Sequence, residues 1–97
     1  MMRVTVDEGK DEMVVKIEGR LVEPWASELE PEWRNLQLGS KRLSLDISEM
    51  LFVDYSGKQI LKDIVKATNC EIRANSPLTR DFADEIMRTA TNPLQEI

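Results

Sequence analysis

The sequence has no histidine and a single cysteine, Cys70. Without an imidazole, serine or cysteine nucleophiles have no histidine base to activate them, and Cys/His zinc coordination is excluded. One cysteine excludes an internal disulfide. Glycine and proline number four each, and no low-complexity tract or linker marks a domain boundary. No apolar run approaches the ~18 residues that a membrane span needs. The opening residues Met1–Thr5 lack a basic segment followed by an apolar one, so no signal peptide is expected. Eighteen acids against thirteen bases leave a net charge of −5. The bases are scattered, and their densest set, Lys58, Lys62 and Lys66 with Asp63 among them, stripes a helix face; nucleic acid is not an expected partner. The phosphate-cradling patterns Gly-x-x-x-x-Gly-Lys and Gly-x-Gly-x-x-Gly are absent. No nucleophile is paired with a base, so neither catalysis, nor a metal, nor a cofactor is expected.

What is present suits one small soluble domain. Ninety-seven residues, 41% of them hydrophobic, predict a single domain over 1–97, cytoplasmic, with a radius of gyration of roughly 12–13 Å. Val4 and Val6 alternate with Arg3, Thr5 and Asp7, as in a half-buried strand. After a charged turn at Asp7–Glu12, Met13, Val15 and Ile17 form a second strand that closes a hairpin. From Pro24 the period becomes helical, with Trp25, Leu29, Trp33 and Leu36 on one stripe. Pro31 leaves two alternatives, a kink or a late start behind a Ser27/Glu30 capping box. Leu43, Leu45 and Ile47 alternate as a third strand, with Asp46 as a turn former. Leu51-Phe52-Val53, apolar on both faces, reads as buried. Ile60, Leu61, Ile64 and Val65 then lie along a helix that Asn69 ends. Cys70, Ile72 and Ala74 give a fourth strand, on which Cys70 is a small buried residue. Ser76-Pro77 is an N-cap followed by a first-turn proline. The last helix turns Leu78, Phe82, Ile86 and Met87 inward, and residues 92–97 form a frayed tail. The predicted order, β-β-α-β-α-β-α, gives an α/β fold: a small, mostly parallel sheet with an antiparallel edge strand and helices packed on it.

In such sheets, binding crevices open beyond the carboxyl ends of the parallel strands. Asp54-Tyr55-Ser56-Gly57-Lys58 lies at one of those ends. Ser56 followed by Gln59 matches a capping box, and Asp54 is a second cap or a turn former. Gly57, lacking a Cβ, allows close approach of another backbone or of a partner.

The stretch from Leu43 to Ser48, followed by Phe52-Val53-Asp54-Tyr55-Ser56-Gly57, resembles the signature of STAS domains, the domains of sulfate transporters and anti-sigma-factor antagonists. Ile17-Glu18-Gly19-Arg20-Leu21 and Asn75–Arg80 resemble two further family segments, and the match runs from about Met13 to Ile86. The resemblance implies a non-enzymatic adaptor in partner switching. The unmodified domain would bind an anti-sigma factor that is also a serine kinase, and phosphorylation would release it. It places the docking surface at Asp54, Tyr55, Ser56, Gly57 and Lys58. The family's phosphoacceptor position is Tyr55 here, in place of serine or threonine, and Ser56 is the alternative acceptor. A phenol sets its oxygen too far out for an active site built around a short hydroxyl, so the usual phospho-switch is not expected. Two other readings follow: an accessory subunit of a membrane transporter, and a small-ligand or nucleotide sensor.

Overall fold

Alternating apolar side chains build a five-stranded sheet around one long central strand. The computed structural model describes residues 2–36 and 38–91. Its elements are β1 (Met2–Glu8), β2 (Glu12–Leu21), α1 (Trp25–Arg34), β3 (Arg42–Asp46), β4 (Met50–Val53), α2 (Tyr55–Thr68), β5 (Glu71–Arg73) and α3 (Pro77–Thr91). β1 runs antiparallel along β2, with Met2 opposite Gly19 and Glu8 opposite Met13. On the other side of β2, β3 pairs in parallel with its first half and β4 with its end. β5 is parallel to β3. The mostly parallel sheet with an antiparallel edge strand is therefore as the alternation predicts. The radius of gyration is 12.7 Å.

One face of the sheet is apolar because the alternation is strict. Met13, Val15 and Ile17 of β2 and Leu43 and Leu45 of β3 are buried under the helices. α1 lies against α2 and α2 against α3. α2 contributes Ile60, Leu61, Ile64 and Val65 to this core. Fully burying one such side chain contributes roughly 1.5–3 kcal/mol, so α2 is the best-anchored helix. It ends where Asn69 adopts a left-handed conformation (φ 54°) and its N–H donates to the Val65 carbonyl at 2.7 Å. The opposite face is polar. On it Ser44, only 1% exposed, lies 3.0 Å from Glu12 Oε2 and 3.1 Å from Glu71 Oε1. Arg73 reaches the same Glu12 oxygen at 2.8 Å. The Ser44 hydroxyl, and then the Arg73 guanidinium, hold the Glu12 carboxyl below its usual value of 4.5.

The structure corrects the sequence reading at β4, at the start of α1 and in the first turn of α3. β4 is a fifth strand, and Leu51 and Phe52 on it are 68% and 47% exposed rather than buried. β4 pairs only with β2, through a register irregularity between Gly19 and Arg20, so only Met50 and Val53 turn inward. Of the two alternatives at Pro31 the late start does not occur: α1 starts at Trp25 with Pro31 inside it. Pro31 sits on the exposed side, where water can satisfy the carbonyl that loses its intrahelical donor. No Ser27/Glu30 capping box forms. Instead the Glu23 carboxylate accepts the Ser27 N–H at 3.0 Å and the Ser27 hydroxyl at 2.7 Å. In α3 Leu78 faces outward and Thr79 takes its place, 2% exposed, accepting the N–H groups of Asn75 and Ser76. The expected tail at 92–97 lies outside the described residues.

Candidate docking site

The ends of β2 and β4 lie side by side, Leu21 opposite Val53, and each feeds a helix. Asp54 ties the two exits together. Its backbone is extended (φ −90°, ψ −175°), and its Oδ1 accepts the Gly57 N–H at 2.8 Å. Asp54 is thus the N-cap of α2. Its Oδ2 accepts the Glu23 N–H at 3.0 Å, while its own N–H donates to the Leu21 carbonyl at 3.2 Å. The capping role expected for Ser56 belongs to Asp54. Ser56 instead sits in the first turn, half-buried, where its hydroxyl adds to the pull of Ser27 in lowering the Glu23 carboxyl.

Gly57 is buried. A Cβ there would stand 2.4 Å from the Leu21 carbonyl oxygen and 2.7 Å from Val53 Cγ2. The close approach that glycine permits is that of the chain's own β2, so Gly57 positions the corner from beneath. Lys58 makes an ion pair with Glu85 at 3.1 Å, linking α2 to α3. Of the five residues that the sequence nominates, Tyr55 is therefore the one displayed most openly, at 76% exposure.

Other apolar groups stand at the same end of the sheet. Leu51 and Phe52 precede the corner on β4, Trp25 opens α1 and Leu78 opens α3, and all four are exposed. The Arg20 guanidinium lies over the Phe52 ring, 5.6 Å from its centroid. Sequence reasoning missed this set because it counted Leu51 and Phe52 as core. The available signal was the polar turn just before them. Asp46 accepts both the N–H and the hydroxyl of Ser48 there, which ends β3 and throws the next four residues to the margin of the sheet. Burial would raise the Asp46 carboxyl, but those two bonds leave it below its usual value of 3.8. Cys70 is buried, and that burial pushes its thiol up. Among the described residues no group of three or more acids or cysteines is placed to hold a metal ion. Among them, too, no helix is long and apolar enough to cross a membrane.

No family model matches the sequence, and no curated protein does. Solved structures do match. An anti-sigma factor antagonist from Mycobacterium paratuberculosis superposes with a TM-score of 0.77 at 22% identity, over 96% of this chain and 84% of that one. A STAS-domain antisigma-factor antagonist from Rhodobacter sphaeroides gives 0.55 at 23% identity, over 88% and 94%. The antagonist SpoIIAA in its unphosphorylated form gives 0.54 at 14% identity, over 81% and 79%. The chain has the STAS fold, the fold on which these anti-sigma-factor antagonists are built.

Proposed function

We propose that residues 1–97 form a single non-enzymatic, cytoplasmic adaptor domain that docks a regulatory protein of the anti-sigma-factor type at the corner from Asp54 to Lys58. The observation that carries this reading is the exposed set Phe52, Leu51 and Tyr55 around a corner whose Asp54 carboxylate already accepts two internal N–H groups. Apolar and aromatic side chains held on a rigid support are the composition of an interface centre, where removing one anchor costs about 2 kcal/mol or more. Asp54 contributes shape rather than contact, because both of its carboxylate oxygens accept internal N–H groups. Gly57 likewise works from below, and Tyr55 provides the contact. With a phenol at the acceptor position, association is not released by a serine/threonine kinase.

The test is calorimetry of the chain against each purified anti-sigma factor encoded in the same genome. Phe52→Asp and Tyr55→Ala, checked for an unchanged circular dichroism spectrum, should each weaken the complex by at least roughly 30-fold. Binding that survives both substitutions, or no binding by the parent chain, overturns the reading. Incubation with a partner that carries kinase activity should leave no phosphate on Tyr55 or Ser56.

A further inference from the structure

β1 ends the sheet. Among the described residues it pairs only with β2, and its other side carries no strand. The hairpin fixes which backbone groups face that open side. Gly9 lies across from Glu12 and its N–H donates to the Glu12 carbonyl at 2.8 Å, so Gly9 is a hydrogen-bonded position of the ladder. Alternation along an antiparallel strand then turns the backbone groups of Asp7, Thr5 and Arg3 toward β2, and those of Glu8, Val6, Val4 and Met2 outward. The edge is seven residues long, has no proline or lysine, and keeps one unbroken register with β2. Devices that blunt exposed edges are therefore few.

The sequence of this edge is complementary to itself. We propose that β1 is a self-association edge, on which two copies of the chain pair antiparallel about a two-fold axis at Thr5 and join two sheets into one. In this register Arg3 of each copy stands opposite Asp7 of the other, Val4 opposite Val6, and Met2 opposite Glu8. All seven residues are used, and the outward backbone groups of Val4 and Val6 meet as hydrogen-bonded pairs. Sliding by two residues in either direction sets Arg3 or Asp7 against the neutral Thr5, so the charges select the central register. Arg3 is available for this. Its side chain is 78% exposed and touches Glu18 only at 3.9 Å.

The apolar side of the edge agrees. Val6 is 46% exposed. It borders a cleft of about 310 Å³ between β1 and α1, lined also by Val4, Val15, Leu29, Trp33 and Leu36. A second copy seated on β1 brings its own Val4 and Val6 to the mouth of that cleft. This surface is separate from the Asp54 corner, so it stands or falls independently of the adaptor reading.

Sedimentation equilibrium of the full chain, from micromolar to near-millimolar concentration, should show a reversible monomer–dimer equilibrium. Arg3→Asp and Asp7→Arg each replace two attractive cross-strand pairs with two repulsive ones and should weaken the dimer by roughly ten- to thirty-fold. The double variant exchanges the charges and should restore it. Amide exchange of Val4 and Val6 should slow as concentration rises, while that of Thr5, already bonded to β2, should not change. A chain that stays monomeric throughout overturns the proposal. So does a dimer that both single reversals leave intact, or one that the double reversal fails to rescue.

Discussion

Gly57→Ala is the most demanding test of how the corner is built. The added methyl would stand 2.4 Å from the Leu21 carbonyl oxygen, against an ordinary van der Waals separation of about 3.4 Å. The first turn of α2 must therefore retreat by about 1 Å. No change of rotamer can relieve the contact, because the atom met is backbone and Leu21 itself is fully buried. Retreat stretches the Gly57–Asp54 bond, now 2.8 Å, and loosens Ile60 and Leu61 in the core. Overpacking of this kind costs typically 1–3 kcal/mol and occasionally more. Alanine returns up to about 1 kcal/mol through its higher helix propensity. With backbone on one side of the clash, the upper part of the range applies, and the net expectation is a loss of about 2 kcal/mol. In a urea melt that is a fall in midpoint of roughly 1–2 M, for a slope of about 1–2 kcal/mol/M. Ser56→Ala, one residue earlier, is the control and should stay within about 0.5 kcal/mol of the parent. If Gly57→Ala matches or exceeds the parent in stability, the close packing of α2 on β2 is not as described, and the support proposed for Tyr55 goes with it.

Asp54→Ala removes the acceptor of two N–H groups and should cost about 1–2 kcal/mol in the same melt, more than Ser56→Ala. The Glu12 carboxyl is held below 4.5 by Ser44 and Arg73. A depressed folded-state value stabilises the protein above the unfolded value, and that stabilisation is lost as pH falls through the folded one. Urea midpoints taken between about pH 6 and pH 3 should therefore decline less steeply in Glu12→Gln than in the parent. Cys70 should react with a thiol reagent only as fast as the protein opens, because it is buried and its thiol is pushed up. Labelling of the native chain at the rate of a free thiol would contradict that burial.

Where burial is decided by local alternation, the sequence was readable. Met13 and Val15 have strands on both sides of them and Ile17 has β1 beside it, so the period of two maps directly onto the core face. Ser76 and Pro77 open α3 as their chemistry requires, with the Ser76 hydroxyl accepting the Thr79 N–H at 3.1 Å. For Leu51 and Phe52 the polar turn before them marks a break in the chain but not their exposure, which depends on how many neighbours β4 has, a property of the assembled sheet. The cap of α2 was half legible. Asp54 and Ser56 are both good caps, and the contest is settled from a distance by Leu21. Only glycine fits against the Leu21 carbonyl, which places Gly57 three residues into the helix and makes Asp54 the residue before its first turn. The Glu23 carboxylate that accepts the Ser27 N–H had no signal, since it acts across a proline from outside the helix.

The chain of bonds from Gly57 to Asp54, from Asp54 to Glu23 and from Glu23 to Ser27 makes the starts of α1 and α2 one braced unit. A visitor at Tyr55 would meet a surface whose backbone is set before contact, so little entropy would be lost in arranging it. The lifetime of such a complex would then follow from how well water is expelled around the aromatic ring, and substitutions there would register in the dissociation rate far more than in the rate of encounter.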